Sequence, residues 1–400
     1  MKVGILTFWW SEDNYGQLLQ CYALQKYLRD AGHDAYLIRY ISINDYIKLS
    51  TWEKIRKASN PIKLWSFLAN MKRRIVNGKE KRANPRNFTD FRNKHINQSE
   101  RIYYTYKELF ENPPFADVYI VGSDQVWNTG ERTINRVMNL VNAYLLNFGN
   151  SSVKRISYAA SFGKEKWQLE SEYIKTFASL LKNFDYVSVR EKSGLEICKQ
   201  CGIENAECVP DPTMLLDIGI YQTLYTNEKI MQKPDKPYCF LYLLGNEFNF
   251  SVNAIYNWAK SKNIEVIYIA GNLQQDKYKK THATIPEWIY LLEHSDTVIT
   301  NSYHCTIFSL LFRKKFGIIP LAGRHIGMNS RFDTIFQLFS INSRFIDTDF
   351  SIFDVDDIDW RPISKTFQEI RTACRLNGII SGTPSALPYS GTIMSENNAE

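Results

Sequence analysis

KVGILTFWWSEDNYGQLLQCYALQKYLRDAGHDAYLIRY, residues 2–40, decides the architecture. Residues 2–8 form an apolar run of strand length, and residues 9–16 form a polar loop. Across residues 17–31, Leu18, Leu19, Tyr22, Leu24, Gln25 and Leu28 fall near one side of a helix that Gly32 stops. Residues 34–40 are again a strand. A strand–helix–strand unit of this length is the building block of a parallel sheet with helices on both faces.

The same rhythm continues outward. Strands are predicted at 117–121, 156–160, 185–189 and 207–209, the last running into Pro210-Asp211-Pro212, with helices at 167–183 and 191–200. Residues 221–237 are polar and carry two prolines, so they read as a linker. The alternation then restarts, with strands at 238–244, 264–270, 296–300 and 316–321 and helices at 251–261, 286–294, 303–312 and 330–339. The expected plan is α/β: two Rossmann-like domains facing a cleft, at 1–220 and 238–345. An acidic loop and a C-terminal helix follow at 346–376. The Gly/Ser/Pro-rich residues 377–400 are expected to be disordered.

The chain has 400 residues and a net charge of +7, and that charge is unevenly placed. Residues 48–101 hold 15 Lys and Arg against four acids, a net of +11, so the other 346 residues carry −4. With 44 % hydrophobic residues the chain is not of the disordered class. No apolar run reaches the roughly 20 residues that span a bilayer. The N-terminus turns acidic too early for a signal peptide. Seven scattered cysteines, an odd number, fit a reducing compartment better than a disulfide framework. The expected location is cytoplasmic.

Several chemistries lose support from absent motifs. There is no G-x-G-x-x-G after a strand, no G-x-x-x-x-G-K-[ST], no H-E-x-x-H and no G-x-S-x-G. Cys198, Cys201 and Cys208 invite a zinc or redox reading, but no second Cys/His pair stands at zinc spacing, and no metal is expected. The six aspartates within 347–359 read as a solvated acidic loop.

Ligands of parallel α/β sheets bind beyond the carboxyl ends of the strands, so residues just after strands are the candidates. Four clusters stand there: Asp13-Asn14-Tyr15-Gly16; Gly122-Ser123-Asp124-Gln125-Val126-Trp127-Asn128; Arg190-Glu191-Lys192-Ser193; and Thr300-Asn301-Ser302-Tyr303-His304. Each has a plain structural explanation as well. Asn14 and Ser193 suit helix caps, Arg190 suits an ion pair, His304 suits a buried histidine, and Trp127 suits core. Their shared topological position is what favours a site.

The motifs G-I-L-T-F, N-Y-G-Q-L-L-Q-C-Y-A-L-Q-K-Y-L, V-G-S-D-Q-V-W-N, Y-A-A-S-F-G, V-S-V-R-E, V-P-D-P-T and T-N-S-Y-H-C-T-I-F-S-L-L, in this order from Met1 to Phe339, resemble the polysaccharide pyruvyl transferase family. The resemblance implies a fold similar to the GT-B glycosyltransferases. It also implies transfer of a pyruvyl group from phosphoenolpyruvate to a sugar as a cyclic ketal, in the making of a bacterial capsule or exopolysaccharide. Arg190 and His304 match the family's donor-binding arginine and histidine. Many members carry Arg two residues before that histidine, where this chain has Ser302.

The resemblance places the donor side at Arg190, Lys192, Asn301, Ser302 and His304, with Arg324, Arg331 or Lys192 as substitutes for the missing arginine. His304 is expected to act as acid/base, a role that suits an ordinary histidine pKa. On the other side Asp13, Asn14 and Asp124 are expected to meet the sugar hydroxyls, near Tyr15, Ser123 and Gln125, and Trp9, Trp10 or Trp127 to stack on the ring. No cofactor beyond the donor substrate is required.

Within 50–76, Trp, Ile, Phe, Leu and Met alternate with Lys and Arg at roughly helical spacing. Such a basic insertion suits an anionic membrane surface bearing a lipid-linked oligosaccharide acceptor, and equally a packed helix with a solvated basic side or a protein-binding helix. No recognition motif supports nucleic acid. Two other functions stay open from sequence: a glycosyltransferase using a nucleotide sugar, and a non-catalytic glycan- or lipid-binding protein.

Overall fold

The alternating apolar runs fold into two all-parallel sheets with helices packed on their faces, the α/β architecture expected. The computed structural model describes residues 1–42, 86–128, 134–165, 171–228, 230, 234–246, 248–271, 276–346, 349–355 and 358–383. The first sheet runs β3 (Gln98–Tyr103), β2 (Asp34–Tyr40), β1 (Lys2–Leu6), β4 (Val118–Val121), β5 (Lys154–Ser157). Single pairings of Ile156 with Tyr186 and of Ala160 with Val189 carry it on to β6 (Ser188–Val189), which pairs with β7 (Glu207–Cys208). All four residues of β4 are buried, as a central strand covered on both faces requires.

Helix α1 (Tyr15–Asp30) starts where the Asn14 side chain accepts the Gln17 N–H, and the chain leaves it through Gly32 at φ +85°. Its buried Gln25 gives both ends of its amide to the Asn97 backbone, which ties the helix to the sheet edge. The helices α2 (Phe88–His95), α3 (Tyr106–Glu111), α4 (Ile134–Tyr144), α5 (Ser171–Leu181) and α6 (Lys192–Gln200) complete this half. The membrane-binding helix expected at 50–76 lies outside the described residues, as does most of the basic stretch. What is described of that stretch packs on the body: Arg92 of α2 is buried, donates to the Ser11 carbonyl and pairs with Glu12.

The linker expected at 221–237 begins as structure. Residues 221–226 belong to α7 (Ile218–Thr226), capped by Asp217, because Tyr221 and Leu224 bury one side of it. The second sheet runs β11 (Lys315–Ile318), β10 (Thr297–Thr300), β8 (Tyr238–Tyr242), β9 (Glu265–Ile269). Around it lie α8 (Val252–Ser261), α9 (Ile285–Glu293), α10 (Tyr303–Leu311) and α11 (Ser330–Phe339). The chain then continues into α12 (Trp360–Ala373) and α13 (Leu376–Ser381). The tail expected to be disordered from 377 therefore starts with a helix. Leu376 and Ile380 are buried, and Lys154 of β5 donates to the Ile379 and Ile380 carbonyls. Residues 384–400 lie outside the described residues.

The strand orders locate the ligand side. In each sheet the chain reverses its direction of travel beside the first strand laid down, between β1 and β4 and between β8 and β10. Crevices open beyond the strand ends at such points.

The two halves share one continuous core. Tyr15 of α1 stacks on Trp288 of α9 (centroids 5.4 Å apart, planes at 17°), meets Tyr242 edge-on, and donates its hydroxyl to the Ala283 carbonyl at 2.6 Å. Trp288 is fully buried. Trp288→Ala is expected to lower unfolding free energy by about 3–5 kcal/mol in urea titrations, since it empties the centre of this contact.

Candidate functional site

Beyond β4, the buried Ser123 accepts the Thr7 hydroxyl on its carbonyl and donates its own hydroxyl to Asp211 Oδ2 at 2.6 Å. Beyond β6, Arg190 and Glu191 are both buried. Arg190 Nη1 lies 3.1 Å from Asp211 Oδ2 and 3.4 Å from Ser123 Oγ, and its Nε lies 3.6 Å from Glu191 Oε2. Glu191 Oε1 accepts from the Ser161 hydroxyl and the Phe162 and Gly163 N–H groups, which fixes the carboxylate.

The second half contributes from the end of β10. The Thr300 hydroxyl donates to Tyr242 O and accepts from Ser302 N–H, and Asn301 clamps the Leu244 backbone with both ends of its amide. Ser302 then caps α10 by accepting the Cys305 N–H. This short series of locked turns sets His304 in the first turn of α10, with Nε2 3.5 Å from Asp211 Oδ2. On the other side of the imidazole is Gly16. A Cβ built there would sit 2.6 Å from His304 Cγ and closer still to Nδ1, so only glycine lets the ring lie this close to α1.

Asp211 is the meeting point. It is fully buried, its Oδ1 takes the Thr213 N–H and hydroxyl, and its Oδ2 faces Ser123, Arg190 and His304. Burial alone would raise its pKa; His304, Arg190 and the Ser123 hydroxyl outweigh that and hold it well below the usual carboxylate range. Burial likewise works against the Arg190 charge and is overcome by Tyr303, Asp211 and Glu191.

Two guanidiniums lie over the Tyr303 ring. Arg190 Cζ lies 4.4 Å and Arg331 Cζ 5.8 Å from its ring centroid. Arg331 comes from the first turn of α11 and is 9 % exposed; burial and the nearby Arg190 push its pKa down to about 10. Five buried polar atoms here make no hydrogen bond among the described residues: Arg190 Nε, Glu191 Oε2, Ser193 Oγ, His304 Nε2 and Arg331 Nε. The first two face each other as an ion pair and His304 Nε2 faces Asp211, which leaves Ser193 Oγ and Arg331 Nε. A buried polar atom without a partner costs about 1–3 kcal/mol, and Arg331 Nε is the one a polar ligand would satisfy.

The expected residues divide into those the structure gathers and those it commits elsewhere. Ser123, Arg190, His304 and Arg331 converge. Asp124, held at φ +77° with its carboxylate on the Gln125 N–H, acts electrostatically on both arginines. Asp13 and Asn14 stand at the start of α1 beside Gly16, Asp13 bonded to Ser11. Lys192 opens α6, and Arg324 lies in the short 3-10 turn Gly323–Met328. Asn301 and Ser302 are taken up by backbone.

Three aromatic expectations are corrected. Trp127 is 2 % exposed, packed among Phe162, Phe177 and Phe184, and donates to Tyr144 O, so it has no free face for a sugar. Trp9 is buried and donates to Tyr40 O, and Tyr15 is spent on the contact with Trp288. Each follows a strand, but its ring fills core. Trp10 is half-buried against Phe8, and Gln125 bonds to Asn128. Among the described residues no group of His, Cys, Asp and Glu is placed to hold a metal, and burial pushes the Cys198 and Cys201 thiols up to about 12 and about 11.

Sequence reasoning missed Asp211, and it placed Glu191, Tyr303 and Gly16 in the candidate clusters without a role. The signal for Asp211 was present: it is a carboxylate between two prolines just after a strand.

Folding lowers the Asp211 pKa, so the native state binds fewer protons there than the unfolded chain. The resulting stabilisation is complete above about pH 4, the ordinary aspartate value, and is lost as pH falls below it. Asp211→Asn is expected to cost about 3–5 kcal/mol at neutral pH by removing the buried carboxylate that Arg190 and His304 share, and to flatten the acid-side loss of stability in urea titrations from about pH 5 to about pH 3.

Solved structures with a similar fold include UDP-GlcNAc 2-epimerase from Methanocaldococcus jannaschii (12 % identity, 93 % of each chain covered, TM-score 0.46). The Neisseria meningitidis UDP-GlcNAc 2-epimerase bound to UDP-GlcNAc gives 8 % identity, with 96 % of this chain and 95 % of that one covered and a TM-score of 0.40. The glycotransferase of kitacinnamycin gives 10 % identity, with 95 % and 93 % covered and a TM-score of 0.40. No curated protein matches the sequence. The model of the polysaccharide pyruvyl transferase family matches residues 14–321, a span that holds Gly16, Ser123, Arg190, Asp211 and His304. The chain belongs to the polysaccharide pyruvyl transferase family.

Proposed function

We propose that this protein transfers the pyruvyl group of phosphoenolpyruvate to two hydroxyls of one sugar, closing a cyclic ketal and releasing phosphate. The observation that carries the reading is a histidine held between a buried carboxylate and a glycine, beside a tyrosine whose ring bears two buried guanidiniums, one of them with an N–H that makes no hydrogen bond or ion pair among the described residues. Phosphoenolpyruvate brings a carboxylate and a phosphate, and such a donor suits a dry site rich in guanidinium.

The chemistry follows from that placement. A proton delivered to the methylene carbon leaves positive charge at C2, where a sugar hydroxyl adds. Phosphate leaves with the C–O bonding pair, and the second hydroxyl closes the ring. One hydroxyl proton replaces the proton given to carbon, and the other departs with phosphate or solvent. His304 serves both movements through Nδ1, the nitrogen turned away from Asp211, while Asp211 orients the ring and stabilises its protonated form. Asp13 and Asn14 at the start of α1, and Asp124 after β4, are the proposed contacts to the sugar hydroxyls. Galactose-type acceptors of a bacterial surface polysaccharide, or its lipid-linked precursor, are the proposed substrates. A cytoplasmic protein whose basic residues 48–101 touch the inner membrane face fits such an acceptor. No helix among the described residues is long and apolar enough to cross a membrane.

The test supplies phosphoenolpyruvate with aryl galactosides or lipid-linked glycans, following phosphate release and the mass of the product. His304→Gln is expected to lower turnover by about 10²–10⁴-fold with the thermal midpoint little changed. Near-normal phosphate release by that variant would remove His304 from the chemistry. Consumption of a nucleotide sugar without phosphoenolpyruvate turnover would replace the reading with glycosyl transfer.

A further inference from the structure

Arg190 is the expected anion clamp, yet its charge is already met inside the protein. Asp211 stands 3.1 Å from Nη1 and Glu191 Oε2 stands 3.6 Å from Nε, both carboxylates buried and both fixed by other bonds. Arg331 differs. Among the described residues no carboxylate lies within ion-pair distance of it, and its Nε is buried without a hydrogen bond. Arg190, a like charge, lies over the same Tyr303 ring, while Glu191 and Asp124 act on Arg331 with the opposite sign without pairing with it.

Two buried guanidiniums against one aromatic ring, one of them without an ion-pair partner among the described residues, is a costly arrangement that an anion would relieve. Cation–π contact with Tyr303 offsets part of that cost and holds both forks in fixed planes. An anion entering beside the ring would remove the repulsion and fill the vacant donor on Arg331. The supporting elements converge as well: α11 contacts both α6 and α10, and Arg190, Tyr303 and Arg331 lie just before the first or in the first turn of each.

We infer that Arg331 is the residue that grips an anionic group of the donor, with Arg190 as the positioning residue that holds Asp211 against His304. The inference rests on the reading of phosphoenolpyruvate as donor, whose carboxylate and phosphate are both chemically suited to a guanidinium fork. Arg331 is thus a ligand-binding residue supplied by α11, a helix beyond the stretch matched by the family model.

The test compares wild type, Arg331→Met, Arg331→Lys and the exposed control Arg361→Met by thermal unfolding and titration calorimetry with phosphoenolpyruvate, inorganic phosphate and pyruvate. Arg331→Met is expected to unfold no lower than wild type without ligand, because it removes an uncompensated buried charge. It should lose about 10–100-fold in phosphoenolpyruvate affinity, as expected for a charge-assisted bond. Arg331→Lys should retain part of that affinity, and stands in for the methionine variant if the latter does not fold. Arg361→Met should bind as wild type does. The phosphate and pyruvate arms tell which group the fork takes. Unchanged phosphoenolpyruvate affinity in the Arg331 variants overturns the inference, and so does a lower melting midpoint with an unchanged ligand-induced shift. If wild type ignores phosphoenolpyruvate but binds phosphate in an Arg331-dependent way, Arg331 keeps its role and the pyruvyl donor reading falls. If wild type binds none of the three, the inference falls as well.

Discussion

A single buried carboxylate organises the molecule around the site. Asp211 has no contact with solvent, and an unpaired charge there would not persist. Its stability depends on Thr213 from its own turn, Ser123 from the end of β4, Arg190 from the end of β6 and His304 from α10. Three strand ends from two different sheets are thereby referred to one oxygen atom, Asp211 Oδ2. The Pro210-Asp211-Pro212 segment suits this position because the flanking rings restrict the backbone, so little further ordering is needed to present the carboxylate. Everything proposed for His304 and the arginines presupposes that this charge is in place.

The fold was legible because strand-length apolar runs alternate with helical period over most of the chain, and central parallel strands are apolar on both faces. The site was legible in position for a related reason: parallel sheets open beyond their strand ends, so the residues after β1, β4, β6 and β10 were the ones to read. Their roles were harder. Trp127 and Trp9 carry the same side chain whether they face a sugar or fill a core, and only the packing of Phe162, Phe177 and Tyr40 around them decides between the two. Asp211, Tyr303 and Arg331 are brought together from positions more than 90 residues apart or from neighbouring helix starts, and no local periodicity encodes that. The helix at 218–226 was hidden by its polar neighbours, and α13 by the small polar residues that follow it.

The charge distribution gains a physical meaning from the site. Outside residues 48–101 the chain is net negative, so no broad positive field draws an anion inward. The cations near His304 act at contact range, from buried positions where solvent screens them little. A site of this kind selects by fit and by matching donors to acceptors, whereas a diffuse basic surface would bind many anions weakly. Any long-range attraction of anions would have to come from the basic stretch.

Gly16 and His304 come from opposite halves and share one volume. The first half therefore cannot change its sequence at position 16 without altering the chemistry of a residue it does not encode, and the second half cannot move α10 without regard to α1. Sequence drift in the two halves is linked at that point, however freely their surfaces diverge. An exchange of either half for that of a distant relative would then fail at a position where no side chain exists to be compared.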